Sequence, residues 1–143
     1  RTVQLVQRCN AGGYSQYTVK IVLTNTAPTD AASSLPEYVT GGGALGVVPG
    51  NVATNVIVYG PPQARMEAPR VDGHPQPLGS FQQESRPVGV VRMELSPGQT
   101  KTVEMDVSKV VQAGAPVLDV TPTVQDIHDV ILQEKKAHNC EAK

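Results

Sequence analysis

Two cysteines, three histidines and 13 acidic residues are the reactive stock of this 143-residue chain. Cys9 and Cys140 stand near opposite ends. An even pair invites a disulfide, and chain termini often lie close together in a folded domain. Closing so long a loop removes unfolded-state entropy worth roughly 4–5 kcal/mol. Such a bridge needs an oxidising compartment, outside the cytoplasm. The alternative is two unrelated thiols, one buried and one on a frayed tail. No Cys-x-x-Cys occurs, which disfavours a redox motif or a zinc knuckle.

His74, His128 and His138 are not spaced as metal ligands on one helical face, and His138-x-Cys140 is a weak pair that a bridged Cys140 would void. Asp126 and Asp129 would share a face of a helical tail. Glu104 and Asp106 would share the outward face of a strand. General acid–base work needs one carboxyl in an apolar pocket. Nothing in the sequence predicts such a pocket, so both pairs read as solvated. Gly79-Ser80 is not part of a Gly-x-Ser-x-Gly elbow, and no Ser, His and Asp spacing argues for a triad. Gly41-Gly42-Gly43-Ala44-Leu45-Gly46 lacks the Lys-Ser/Thr ending of a phosphate loop and opens no helical pattern. Asp30, Asp72 and Asp119 are isolated rather than arranged in a calcium loop. The expectation is a chain without catalytic, cofactor-binding or metal-ligating residues.

The elements around these residues read mostly as strands. Residues 2–7 alternate, and Asn10-Ala11-Gly12-Gly13 is a turn cluster. In YTVKIVLTNTAP (17–28), Val19, Ile21 and Leu23 take one face, and Thr18, Lys20, Val22 and Thr24 the other. This is the pattern of a half-buried antiparallel strand. Pro28 ends it. VATNVIVY (52–59) is a further strand. Asp72-Gly73 signals a hairpin, whose returning arm, with Pro75 and Pro77, is an edge at best. PVGVVRMEL (87–95) and KTVEMDV (101–107) flank Ser96-Pro97-Gly98-Gln99 and read as a hairpin, with Val103, Met105 and Val107 inward. VLDVTPTV (117–124) reads as a last strand interrupted at Pro122. The tail over 126–138 fits a short helix, with Asp126 and Asp129 early and Lys135 and Lys136 late, or a strand over IHDVIL.

About seven short strands with frequent turn signals predict an all-β, antiparallel immunoglobulin-like sandwich. The missing βαβ alternation excludes a doubly wound sheet. The length suits a single domain over 1–143, burying roughly two-thirds of its unfolded surface. Thirteen glycines and 12 prolines supply the turns, and valine rather than aromatics carries the apolar load. Net charge is −1, with no basic stripe, so nucleic acid is a poor partner. No stretch reaches the ~20 apolar residues of a membrane helix. The first residue is Arg1, which suggests a piece cut from a longer protein or a processed chain.

Residues 29–51 form the feature most open to a functional reading. A loop of such length is unusual in a compact domain. It places Leu35, Tyr38, Leu45, Val47 and Val48 on an irregular segment. These side chains either plug an open end of the core or form a partner-contact surface, with Tyr38 as the anchor.

The alternating strand ending in Asn-Thr-x-Pro and the hairpin VVRMELSPGQTKTVEMDV resemble extracellular bacterial immunoglobulin-like surface modules. LTNTAP, LPEYVTG (35–41), VIVYGPP (56–62), RPVGVVRMELSPGQT (86–100) and VTPTV (120–124) are similar, in that order, to the C-terminal part of a family of actinobacterial membrane proteins of unknown function. The resemblance spans residues 18 to 124. It implies an extracytoplasmic, cell-envelope domain anchored through segments outside this chain, and it carries over no catalytic residue.

Three function classes stand against each other. The first is a non-catalytic structural or interaction domain with an envelope protein as partner. The second is a carbohydrate- or peptidoglycan-binding module, against which stand the lack of Trp and the single Phe; only Tyr14, Tyr17, Tyr38 and Tyr59 could serve as stacking faces. The third is a secreted hydrolase, which the missing nucleophile disfavours.

Overall fold

Valine-rich alternation does produce strands, and they assemble into two packed sheets. A computed structural model describes residues 1–111 and 114–124 together with the backbone of 131–136. The strands are β1 (Thr2–Gln7), β2 (Ser15–Thr24), β3 (Val52–Tyr59), β4 (Arg65–Met66), β5 (Arg70–Val71), β6 (His74–Pro75), β7 (Gly79–Gln83), β8 (Arg86–Leu95), β9 (Thr100–Val110) and β10 (Ile131–Lys136). The larger sheet runs β10-β1-β2-β9-β5-β6, with β4 also on β9; the smaller runs β3-β8-β7. Pairing is antiparallel throughout except between β1 and β10, which are parallel. The fold is an all-β sandwich.

One hydrophobic cluster joins the sheets. Val103 and Met105 of β9 are fully buried, beside Val107, and face Val91, Met93 and Leu95 of β8 and Val56 and Val58 of β3. Methionine fills the interior of a chain poor in aromatics, because its flexible thioether adapts to irregular gaps. Gly89 makes room for it: a Cβ there would stand 2.9 Å from Met66 Cγ and 3.1 Å from Met105 Sδ.

Two expectations are corrected. Ser96-Pro97-Gly98-Gln99 is a tight turn, with Gln99 N donating to Ser96 O at 2.9 Å. It does not close a hairpin, however. β8 belongs to the smaller sheet and β9 to the larger, so the turn is a corner between layers. Turn chemistry reverses the chain, but it does not say whether the two strands then bond side by side or stack face to face. The second correction concerns 117–124, which joins no ladder. Leu118 and Val120 pack against the core from outside the sheets, and Pro122 lacks the N–H a ladder needs.

The Asp72-Gly73 hairpin forms between β5 and β6, with positive φ at both turn residues, as a type I′ turn demands. A second such turn joins β7 and β8. Glu84 and Ser85 both adopt positive φ between β7 and β8 without the usual Asn or Gly. In the tail, Ile131–Lys136 takes the strand rather than the helix. Asp126, Asp129, His128, His138 and Cys140 lie outside the described residues.

Candidate functional site

The segment 29–51 is less irregular than its composition suggests. It holds two single-turn helices, α1 (Ala31–Ser34) and α2 (Glu37–Thr40), followed by a 3-10 turn at Gly41–Gly43. Leu35 is extended because it precedes Pro36, which ends α1 and starts α2. Gly41 caps α2 in the left-handed conformation.

Both feet of the segment are tied to one polar node. Asn25, the asparagine of LTNTAP, is buried. Its Nδ2 donates to Gly50 O at 3.0 Å and to Leu95 O at 3.1 Å, and its Oδ1 accepts from Ala27 N at 3.0 Å. Its backbone bonds the Pro97-Gly98 corner through Asn25 N to Gln99 O and Gly98 N to Asn25 O. One side chain thus joins the end of β2, both feet of the segment and the end of β8. Ala31 is fully buried beside it, and Gly50, at φ +88°, leaves only 3.2 Å between a Cβ and that of Ala31.

Above these feet the apolar side chains turn outward. Tyr38 is 87% exposed and Leu45 89%, with Val39 and Val48 also exposed. Leu35 and Val47 are half-buried. Apart from Ala31 and Gly50, nothing in the segment is buried. Tyr38 and Leu45 therefore do not plug the core.

A polar cluster sits elsewhere, on the outer face of the larger sheet. The β2–β9 register sets Thr18 opposite Asp106 and Lys20 opposite Glu104. Asp106 is not solvated, contrary to expectation: its side chain is 11% exposed. It accepts from Arg8 Nη1 at 2.7 Å, from Arg70 Nη1 at 2.9 Å and Nη2 at 3.2 Å, and from the Thr18 hydroxyl. Glu104 lies 3.5 Å from Arg70 and 3.9 Å from Lys20. Burial alone would raise the Asp106 pKa. The hydrogen bonds from Arg70 and Thr18 and the charges of Arg8 and Arg70 outweigh it and hold the carboxyl below its ordinary value. Such a group is ionised and satisfied, with no proton to lend. Its chemistry is to clamp the Arg8 and Arg70 segments onto β9. No local signal marked it, because Arg8 and Arg70 reach Asp106 from 98 and 36 residues away.

A groove of about 560 Å³ opens beside this clamp, lined by Arg8, Tyr14, Glu67, Ser108 and Lys109 among others. Lys109 takes φ 54° where the β2–β9 register shifts between Ser15 and Tyr17. Ser108 is engaged with Glu67 at 2.9 Å.

The remaining candidates are dispersed. His74 is exposed on β6, and Gly79 and Ser80 lie on β7. Asp72 Oδ1 accepts from Thr102 N of β9 at 2.8 Å. Asp30 and Asp119 are exposed. Among the described residues no three His, Cys, Asp or Glu side chains gather as a metal set. Tyr17 is buried and offers no stacking face, whereas Tyr59 and Phe81 are exposed on the smaller sheet. Cys9 follows β1, and the pairing expected with Cys140 involves a residue outside the described set. Comparison with known proteins finds no matching family model, no similar curated protein and no matching solved structure.

Proposed function

We propose that the chain is a non-catalytic structural or interaction domain of a membrane or cell-envelope protein, displayed outside the cytoplasm, which offers the 29–51 segment to a partner protein. The observation that carries this reading is the pairing of exposed Tyr38 and Leu45 with feet locked by Asn25, Ala31 and Gly50. Large apolar groups on a pre-ordered support bind with little ordering cost. The extracytoplasmic placement rests on the family resemblance and the Cys9–Cys140 pairing, both proposals. Mass spectrometry with and without reductant tests the pairing. Two alkylatable thiols in protein purified under oxidising conditions would remove the compartment argument.

The contact surface is tested by pull-down from an envelope fraction with the wild type and a Tyr38→Ala/Leu45→Ser variant. The expected result is a partner retained by the first and lost by the second, at unchanged melting temperature. Equal retention by both refutes the assignment.

A carbohydrate- or peptidoglycan-binding role is the second reading. One observation favours it: Tyr59 and Phe81 flank Val88 on the outer face of the smaller sheet, across the β3-β8-β7 register. Peptidoglycan binding that disappears in Tyr59→Ala and Phe81→Ala, and survives Tyr38→Ala, would select it.

A further inference from the structure

We propose that β3 is a docking edge for a second copy of this chain, which pairs antiparallel with it through its own β3. Strand edges expose unpaired N–H and C=O groups, and proteins normally blunt them with charge, proline, bulges or brevity. Among the described residues, the other strands at the ends of the two sheets are shorter than β3 or carry charge or proline. β6 is two residues long and ends on Pro75. β10 reads Ile-Leu-Gln-Glu-Lys-Lys. β7 is five residues long, starts on a glycine and ends at the strained Glu84-Ser85 turn.

β3 shows none of them. VATNVIVY has eight residues, no charge and no proline, and its register with β8 is unbroken from Val52 to Tyr59. Among the described residues, β8 is its one ladder partner, and no loop bonds its other edge. The gap between the sheets is also open there. A groove of about 290 Å³ runs past Val52 and Thr54 to Leu23 and Leu95.

The choice of a second copy follows from charge and periodicity. An uncharged strand meets no like charge when it pairs with itself. Directly opposed residues must share a face, and in β3 the even positions Val56 and Val58 face the core while Asn55, Ile57 and Tyr59 face out. Self-pairing must therefore match odd with odd. A register centred on Val56 satisfies this, with Ile57 opposite Asn55 and Thr54 opposite Val58; one centred on Ile57 does also. Either makes one six-stranded sheet from two three-stranded ones. The register centred on Ile57 also carries the outer apolar pair of Val90 and Ile57 across the two-fold axis, where Ile57 meets its own copy. Paired over about 24 Å in the first register and about 17 Å in the second, at ~3.4 Å per residue, this is an interface of the small, concentration-dependent kind.

Sedimentation velocity of the full chain over a roughly hundredfold concentration range tests it. The expected result is a rise from the monomer mass toward twice that value. A monomer at every concentration overturns the proposal, even if β3 captures some other extended peptide. Ile57→Lys and Asn55→Lys, at exposed positions beside either two-fold axis, each weaken association at least tenfold. Association unchanged in both variants, or lost in Tyr38→Ala/Leu45→Ser instead, overturns it and moves the interface elsewhere. Hydrogen exchange gives the independent readout. Amides within Val52–Tyr59 gain protection as concentration rises and those of Gly79–Gln83 do not; equal gain at both edges, or at neither, counts against self-pairing through β3.

Discussion

The two sheets turn opposite characters outward. The larger carries Thr18, Lys20, Glu104 and Asp106 on its outer face, cross-linked by Arg8 and Arg70 from neighbouring segments. The smaller carries Ile57, Tyr59, Val90 and Phe81 together on its outer face, with the charged Arg86, Arg92 and Glu94 confined to β8 beside them. Both faces back onto the same core, so the difference is not one of fold support. The charged face satisfies itself: each carboxylate there has a cation from this chain. The other face leaves apolar surface that no described residue covers. Self-satisfaction marks a structural face, and unsatisfied apolar area marks a face open to contact.

That contrast can be broken by substitution. Asp106→Asn removes the charge that Arg8 and Arg70 share. Breaking a fully buried pair costs about 3–5 kcal/mol. Both guanidinium groups reach water, so about 2 kcal/mol is expected, read as a lower midpoint in urea denaturation. Acid gives the same loss without mutation. The Asp106 carboxyl titrates below its unfolded value of about 3.9, so its contribution is fully present above that value and fades as pH falls through the lower, folded value. Wild type should therefore lose stability more steeply below about pH 4 than Asp106→Asn does; parallel curves would show the clamp to be idle. Thr18→Val keeps the shape of the side chain and deletes one donor to Asp106, at about 1 kcal/mol.

On the other face, Phe81→Ser should move stability by less than about 0.5 kcal/mol, because the ring is largely exposed. A loss as large as that of Asp106→Asn would mean that Phe81 supports the fold and would abolish the distinction between the faces. Ser85→Gly sharpens the picture on the smallest scale. It relieves a positive φ in the β7–β8 turn and should raise stability by about 0.5 kcal/mol in the same denaturation assay.

Much of the architecture was legible from local pattern. β3, β8 and the inward row Val103, Met105 and Val107 follow from period-two alternation, since a side chain's face depends only on its parity along the strand. The Asp72-Gly73 turn was legible because few residues tolerate positive φ there. Glu84-Ser85 was not, because its geometry is imposed by the flanking strands against local preference. The exposed stance of Tyr38 and Leu45 was half legible. The length of the segment pointed to them, but only the depth of Ala31 and Gly50 shows which part of it is anchored.

By itself, the order of residues determined where β1, β2, β3, β8 and β9 run, which of their side chains face inward, and that turns divide them; these are consequences of backbone sterics acting over a few residues. Tertiary structure alone decided that β8 and β9 part into separate layers, that Asp106 meets two arginines, and that Asn25 ties four segments at one point. Those outcomes depend on which distant strands become neighbours. That choice is made by closing one shared core, where burial and hydrogen bonding are summed over the whole chain.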